Sequence, residues 1–290
     1  MSSAVRPRFL GRSVLAAAVT VAGLSALVWP AVNASGAAWP AGNASGAAWP
    51  AGNASGAASP GPPRAISSPQ TVGPLFAGGA GGRHFCSASV VAAASRDLIL
   101  TAAHCVSGTG EGLYFAPGYR DGTAPFGYWR VTAAYVDPAW LRSAAPQADF
   151  AFLRVVPVAP SQRRPVQEVV GGAALGAAPP TGARVDVTGY PAGFGGPVSC
   201  AATTYQRAGY PAFRCAGFSD GTSGGPWLSR SGHGPARAVG LIGGLEQGGC
   251  SPAVSYSPRL GAPAQALLAR ASAGGPSDVV PAAPGDGCAS

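Results

Sequence analysis

The chain has 290 residues, of which 10% are charged, with 44 Gly and 29 Pro. That balance disfavours long surface helices and favours turn-rich β structure. All 19 basic residues are Arg, for a formal charge of +8; they are scattered, with only Arg163 and Arg164 adjacent, which excludes the clustered footprint of a nucleic-acid binder.

Arg6, Arg8 and Arg12 precede the apolar run Ser13 to Trp29 and a stretch of small residues, Val32 to Ala37. This reads as a secretory signal over residues 1–34. An uncleaved anchor is the alternative, because the run is at the short edge of a membrane span. Without those three Arg, 16 Arg stand against 11 acids and the charge is +5. Residues 31–60 repeat with period ten: AVNASGAAWP, AGNASGAAWP, AGNASGAASP. Their apolar content is almost all Ala, too little surface to offset the entropy of ordering. With the Pro-rich segment that follows, residues 35–70 read as a spacer or propeptide. Sequons at Asn33, Asn43 and Asn53 come with the repeat.

Ordered structure is expected from Thr71. Short apolar runs recur between turn residues: His84 to Val91, Asp97 to Thr101, Trp129 to Val136 and Asp149 to Val156. After the Pro-rich stretch Pro157 to Pro165 come Arg184 to Tyr190, Thr203 to Gln206, Pro226 to Ser229, Ala238 to Gly243 and Ala253 to Tyr256. This spacing predicts an all-β sandwich or barrel in two halves, about 71–160 and 161–271. A short helix is expected over Ala262 to Arg270. Asp137-Pro138 reads as a turn. The tail, 272–290, is polar and Pro/Gly-rich, and only Cys288 argues that it is tied down.

Six cysteines, Cys86, Cys105, Cys200, Cys215, Cys250 and Cys288, fit an oxidising destination. None forms a C-x-x-C pair, which speaks against zinc. Several pairings are possible on paper; neighbour to neighbour is the simplest.

Three motifs carry chemistry. In Thr101-Ala102-Ala103-His104-Cys105 two small residues let the backbone pack closely. A disulfide from Cys105, for which Cys86 is well placed, would pin the turn beside the imidazole. Such a loop of about 20 residues is worth about 3 kcal/mol of chain entropy. In Ala148-Asp149-Phe150-Ala151-Phe152-Leu153 an acid opens an apolar strand. A buried carboxylate needs partners, and one use for it is to accept the Nδ1 proton of a histidine base. In Asp220-Gly221-Thr222-Ser223-Gly224-Gly225-Pro226 glycines surround a serine. They permit backbone angles that aim N–H groups at a developing oxyanion.

The order His, Asp, Ser is the chymotrypsin order. Together TAAHC, ADFAFL and GTSGGP resemble the boxes of the trypsin-like peptidase family, and its secreted bacterial branch in particular. His84 to Val91 resembles the strand entering the first barrel. The likeness covers about residues 71–271. It implies two antiparallel Greek-key β-barrels with the active site between them. It implies His104 as general base, Asp149 as its orienter and Ser223 as nucleophile, with the N–H groups of Gly221 and Ser223 as oxyanion hole. The expected molecule is a secreted, monomeric endopeptidase acting on proteins or peptides. It is expected to need no cofactor or metal, and to engage neither nucleic acid nor, after signal removal, the membrane. A non-catalytic binding module of the same fold and a cell-surface protein built around the repeat are the rivals.

Two departures from the family stand out. Thr222 occupies a position where animal trypsins have an acid that pairs with a new N-terminus. Gly217, six residues before Ser223, occupies the position of the trypsin-like specificity acid, so a preference for Lys or Arg has no support there. Glu246 falls where the family lines its primary pocket and could attract a basic side chain, yet reads more simply as a solvated loop acid. His233 reads as surface.

Overall fold

The computed structural model describes residues 69–230 and 234–288. The expected signal, the repeat and His233 lie outside the described residues.

Six strands make the first half: β1 (Val72–Ala77), β2 (Arg83–Val90), β3 (Leu98–Thr101), β4 (Leu113–Phe115), β5 (Trp129–Val136) and β6 (Ala151–Pro157). They pair antiparallel in the order β1-β2-β3-β6-β5-β4, and β4 returns to β1 to close a barrel. Closure removes the edges that would otherwise recruit another strand. In β5 the alternation is clean at first, with Trp129 and Val131 buried and Arg130 and Thr132 exposed. It then breaks, and Ala133 to Val136 are all buried. The register shifts between Val131 and Ala133, and the C-terminal tail covers the outer face beyond.

The second half holds β7 (Ala174–Leu175), β8 (Arg184–Gly189), β9 (Val198–Thr203), β10 (Tyr205–Arg207), β11 (Tyr210–Arg214), β12 (Pro226–Ser229), β13 (Arg237–Leu241) and β14 (Val254–Tyr256). Its strands form a five-stranded sheet, β7-β13-β12-β8-β9, and a three-stranded sheet, β10-β11-β14. The disulfide Cys200–Cys215 ties the edge strand β9 to the residue after β11. Both sheets pack on a core containing Val187, Phe213, Phe218, Trp227 and Ile242. Phe213 meets Phe218 and Trp227 edge-on, at centroid distances of 5.2 and 5.0 Å, the geometry that ring quadrupoles favour. The all-β expectation holds, with one barrel closed by hydrogen bonds and the second half shared between two sheets.

Among the described residues there are also three α-helices: α1 (Pro138–Ser143), α2 (Val166–Val170) and α3 (Ala262–Ala273). None of the helices among the described residues is long and apolar enough to cross a membrane. Asp137-Pro138 is a helix start rather than a plain turn. Asp137 accepts from the Ala139 amide at 2.7 Å, and Pro138 takes the first helical position, where its missing N–H costs nothing. The run Thr203 to Gln206 is interrupted at Thr204, whose hydroxyl donates to Pro180 at 2.7 Å. Helix α3 continues to Ala273, three residues beyond the expected end.

The tail is held far more firmly than one cysteine suggested. The Asp278 amide donates to Ala134, and the Val136 amide donates to the Asp278 carboxylate. Val280 is 2% exposed and bridges to Gly108. The chain then returns to the second half, where Cys288 is bonded to Cys250.

Candidate active site

The His104 turn is built from β3. Leu98 to Thr101 are all buried, and the chain then tightens into a 3-10 turn at Ala103–Cys105. Ala102 and Ala103 are fully buried, so only small side chains fit beneath the turn. The disulfide Cys86–Cys105 fastens it to β2, giving the first of the three neighbour pairings.

Asp149 sits between a 3-10 turn, Pro146–Ala148, and β6, with no exposed surface. Three donors meet its carboxylate. Oδ1 accepts from the His104 amide at 2.9 Å. Oδ2 accepts from His104 Nδ1 at 2.8 Å and from the Gly244 amide at 2.7 Å. An ionised carboxylate has no proton to give, so Nδ1 carries the hydrogen and Nε2 keeps its lone pair. The charge is felt nearby: the Tyr210 hydroxyl is pushed above the usual phenol range by burial first and by Asp149 second, against a hydrogen bond with Gln147.

Ser223 comes from the other half, and β2 receives it. The Ser87 amide donates to the Ser223 carbonyl at 2.7 Å, and Cys105 Sγ lies 3.9 Å from the same oxygen. Gly224 is required by this approach. Its φ is +81°, and a Cβ there would lie 2.2 Å from the Ser87 carbonyl oxygen. Ser223 Oγ makes no hydrogen bond to His104 in this structure. Such bonds often tighten only when substrate is bound.

The backbone around Ser223 shows why the glycines matter. A trans peptide points its C=O and N–H in opposite directions. The Asp220 carbonyl accepts from the Ala192 amide at 2.7 Å, so the Gly221 N–H faces away from Ala192. The Thr222 carbonyl accepts from Gly225 at 2.9 Å, which turns the Ser223 N–H outward in the same way. Among the described residues, neither N–H donates to a protein carbonyl. Thr222 supplies its own closure: its hydroxyl donates to Ser219 at 2.7 Å.

A cavity of about 290 Å³ adjoins Ser223, and its lining includes Phe218, Ile242, Glu246 and Asp286. Gly217 does not line it. Glu246 is therefore a pocket residue, half-buried, rather than only a solvated loop acid. Asp286, Ala192 and the Gly244 amide escaped the sequence reading. So did Ser87, although a serine inside an apolar strand was a usable signal. Cys86, His104 and Cys105 lie close enough to suggest a metal cluster. Both sulfurs are spent in the disulfide, which removes them as ligands.

A family model described as a trypsin-like peptidase domain matches residues 86–241. That span contains all three motifs. Among solved structures, the protease Anisep from Arthrobacter nicotinovorans is 27% identical, with 72% of this chain and 98% of that chain covered and a TM-score of 0.59. The thermostable serine protease AL20 from an extremophilic microorganism is 25% identical, with 72% and 100% covered and a TM-score of 0.56. A Glu endopeptidase shares the fold at 19% identity, with 75% and 98% covered and a TM-score of 0.56. No curated protein sequence matches the chain. With more than half of its length matched by the family model, the chain belongs to the trypsin-like peptidase domain family, as a serine endopeptidase.

Proposed function

We propose that His104, Asp149 and Ser223 form the catalytic triad of a secreted endopeptidase whose peptidase domain spans residues 71–271. The observation that carries this is the buried Asp149 carboxylate with its three donors, two of them from His104. The arrangement holds the ring in one tautomer and stabilises the imidazolium that forms during reaction. Ser223 Oγ attacks the substrate carbonyl while His104 Nε2 takes its proton. The carbonyl oxygen, now negative, is met by the Gly221 and Ser223 N–H groups. His104 then returns the proton to the leaving amine, and water hydrolyses the acyl-enzyme through the same base. Export is supported by the three disulfides, Cys86–Cys105, Cys200–Cys215 and Cys250–Cys288, which persist in oxidising compartments.

The test is Ser223→Ala. Turnover of a peptide substrate should fall by ~10⁶, and a fluorophosphonate that labels the wild type should leave the folded variant unlabelled. Labelling that survives the substitution would assign the nucleophile elsewhere.

A further inference from the structure

We infer that Asp286, carried by the C-terminal tail, is a specificity-determining residue that acts with Glu246 to select a cationic side chain at the residue whose carbonyl Ser223 attacks. This rests on the reading of Ser223 as nucleophile.

The cavity beside Ser223 is of side-chain rather than whole-ligand size. Two buried apolar side chains line it, Phe218 at 4% and Ile242 at 3% exposed. Its lining includes three carboxylates, Asp220, Glu246 and Asp286, and no Arg, Lys or His. Among the described residues none of the three is in a salt bridge. Apolar side chains together with a half-buried Glu246 and the exposed Asp220 and Asp286 suit a Lys or Arg side chain, whose methylene stem packs while its cation meets the acids. The same field repels an acidic side chain.

The segment that carries Glu246 is joined to the tail that carries Asp286. Glu246 and Gln247 both adopt left-handed backbone, at φ +51° and +48°. Consecutive non-glycine residues in that region are strained, and such strain persists only where surroundings enforce it. The turn closes on itself, with the Gln247 amide donating to Gly244 and the Gly249 amide to Glu246, and Gln247 Nε2 donates to the Pro284 carbonyl of the tail at 2.5 Å. Asp286 follows two residues on. Its Oδ1 accepts from the Cys288 amide at 2.9 Å, and Cys288 is bonded to Cys250 in the cavity wall. The disulfide thus ties Asp286 to the cavity wall.

The test uses the oxidised, full-length secreted protein and four fluorogenic peptides that differ only in the residue before the scissile bond: Arg, Lys, Leu or Glu. For the wild type, kcat/KM for Arg and Lys should exceed that for Leu by about tenfold or more, with Glu the poorest. Asp286→Asn should lower the Arg-to-Leu ratio by about tenfold. Asp286→Lys should bring the Glu peptide above the Arg peptide. A double Cys250→Ser, Cys288→Ser variant that frees the tail should lower the ratio as Asp286→Asn does; where it does not fold, the two Asp286 variants decide. A wild-type ratio at or below one, or a ratio that Asp286→Asn leaves unchanged, overturns the proposal. Labelling wild-type Ser223 with an uncharged fluorophosphonate separates the two levels. Labelling without basic preference sinks the specificity assignment alone, whereas no labelling and no hydrolysis of any peptide sinks the nucleophile as well.

Discussion

The Ser87 hydroxyl donates to the Gly221 carbonyl at 2.9 Å and accepts from the Tyr190 amide at 2.8 Å, so one small side chain of the first barrel holds two loops of the second half. Ser87 has no exposed surface. Ser87→Ala therefore removes the hydroxyl that the buried Gly221 carbonyl accepts from, at a cost of about 1–3 kcal/mol. Outright loss of an oxyanion donor costs about 10²–10³ in kcat, and a displaced Gly221 should cost less than that. A lowered melting temperature with kcat reduced more than KM is the expected result. Unchanged kcat in a folded variant would show that Gly221 is positioned without Ser87.

Asp149→Asn should be more severe than its size suggests. Both oxygens accept from N–H donors, and an amide can accept at only one of them. Either flip sets an NH₂ against a donor that is already committed. Placed toward Nδ1, it forces the hydrogen onto Nε2 and removes the base. The expected loss in kcat is ~10⁴, with a fluorophosphonate reacting correspondingly slowly. A variant within tenfold of the wild type would show that the tautomer is set by something other than Asp149.

Thr222 has no carboxylate to pair with an N-terminal ammonium, and its hydroxyl is already committed to Ser219. Forms starting at residues 35, 61 and 69, with N-termini verified by mass spectrometry, should turn over a peptide substrate at similar rates. If only the shortest is active, the preceding segment is an inhibitor and the chain a zymogen.

The tail clamp should be acid-sensitive. Burial alone would raise the Asp278 carboxyl, but the Arg270 hydrogen bond, the Val136 amide and the Arg270 charge overcome it and hold it below the usual range. A group depressed in the folded state contributes stability above its unfolded value, about 3.9, and loses it as pH falls through the folded one. Asp278→Asn should therefore lower the melting temperature most near neutrality. The gap to the wild type should shrink once pH drops below about 4. A gap independent of pH would assign the effect to packing.

The parts of the fold that read directly from the sequence are those with local causes. The bounds of β5 and β12 coincide with apolar runs, because side chains in a strand alternate within a few residues of one another. The motifs around His104, Asp149 and Ser223 read for the same reason: each packs its chemistry into a few consecutive residues. What escaped depends on distant partners. Asp137 shows its capping role only with the helix behind it. Ser87 and Gly244 act through bonds between the two halves, to Gly221 and Asp149, and Ala192 through a bond to Asp220 from a distant loop of the same half. Glu246 and Asp286 lie 40 residues apart in sequence and share a pocket wall only because a disulfide returns the chain. No periodicity encodes such a return.

The Cys250–Cys288 bond also closes a covalent ring around α3 and the tail. An endopeptidase works among its own active copies, and Arg259 and Arg270 both lie inside that ring. A self-inflicted cut after either one would open a single peptide bond and release nothing, since both new ends would stay attached through sulfur. Arg259 is further held by Gly209 and Gln206, and Arg270 by Asp278 and Val136, so a nicked chain would keep the contacts that seat the tail. Autolysis at these sites would show as a two-band pattern only after reduction, from protein that had lost little of its activity.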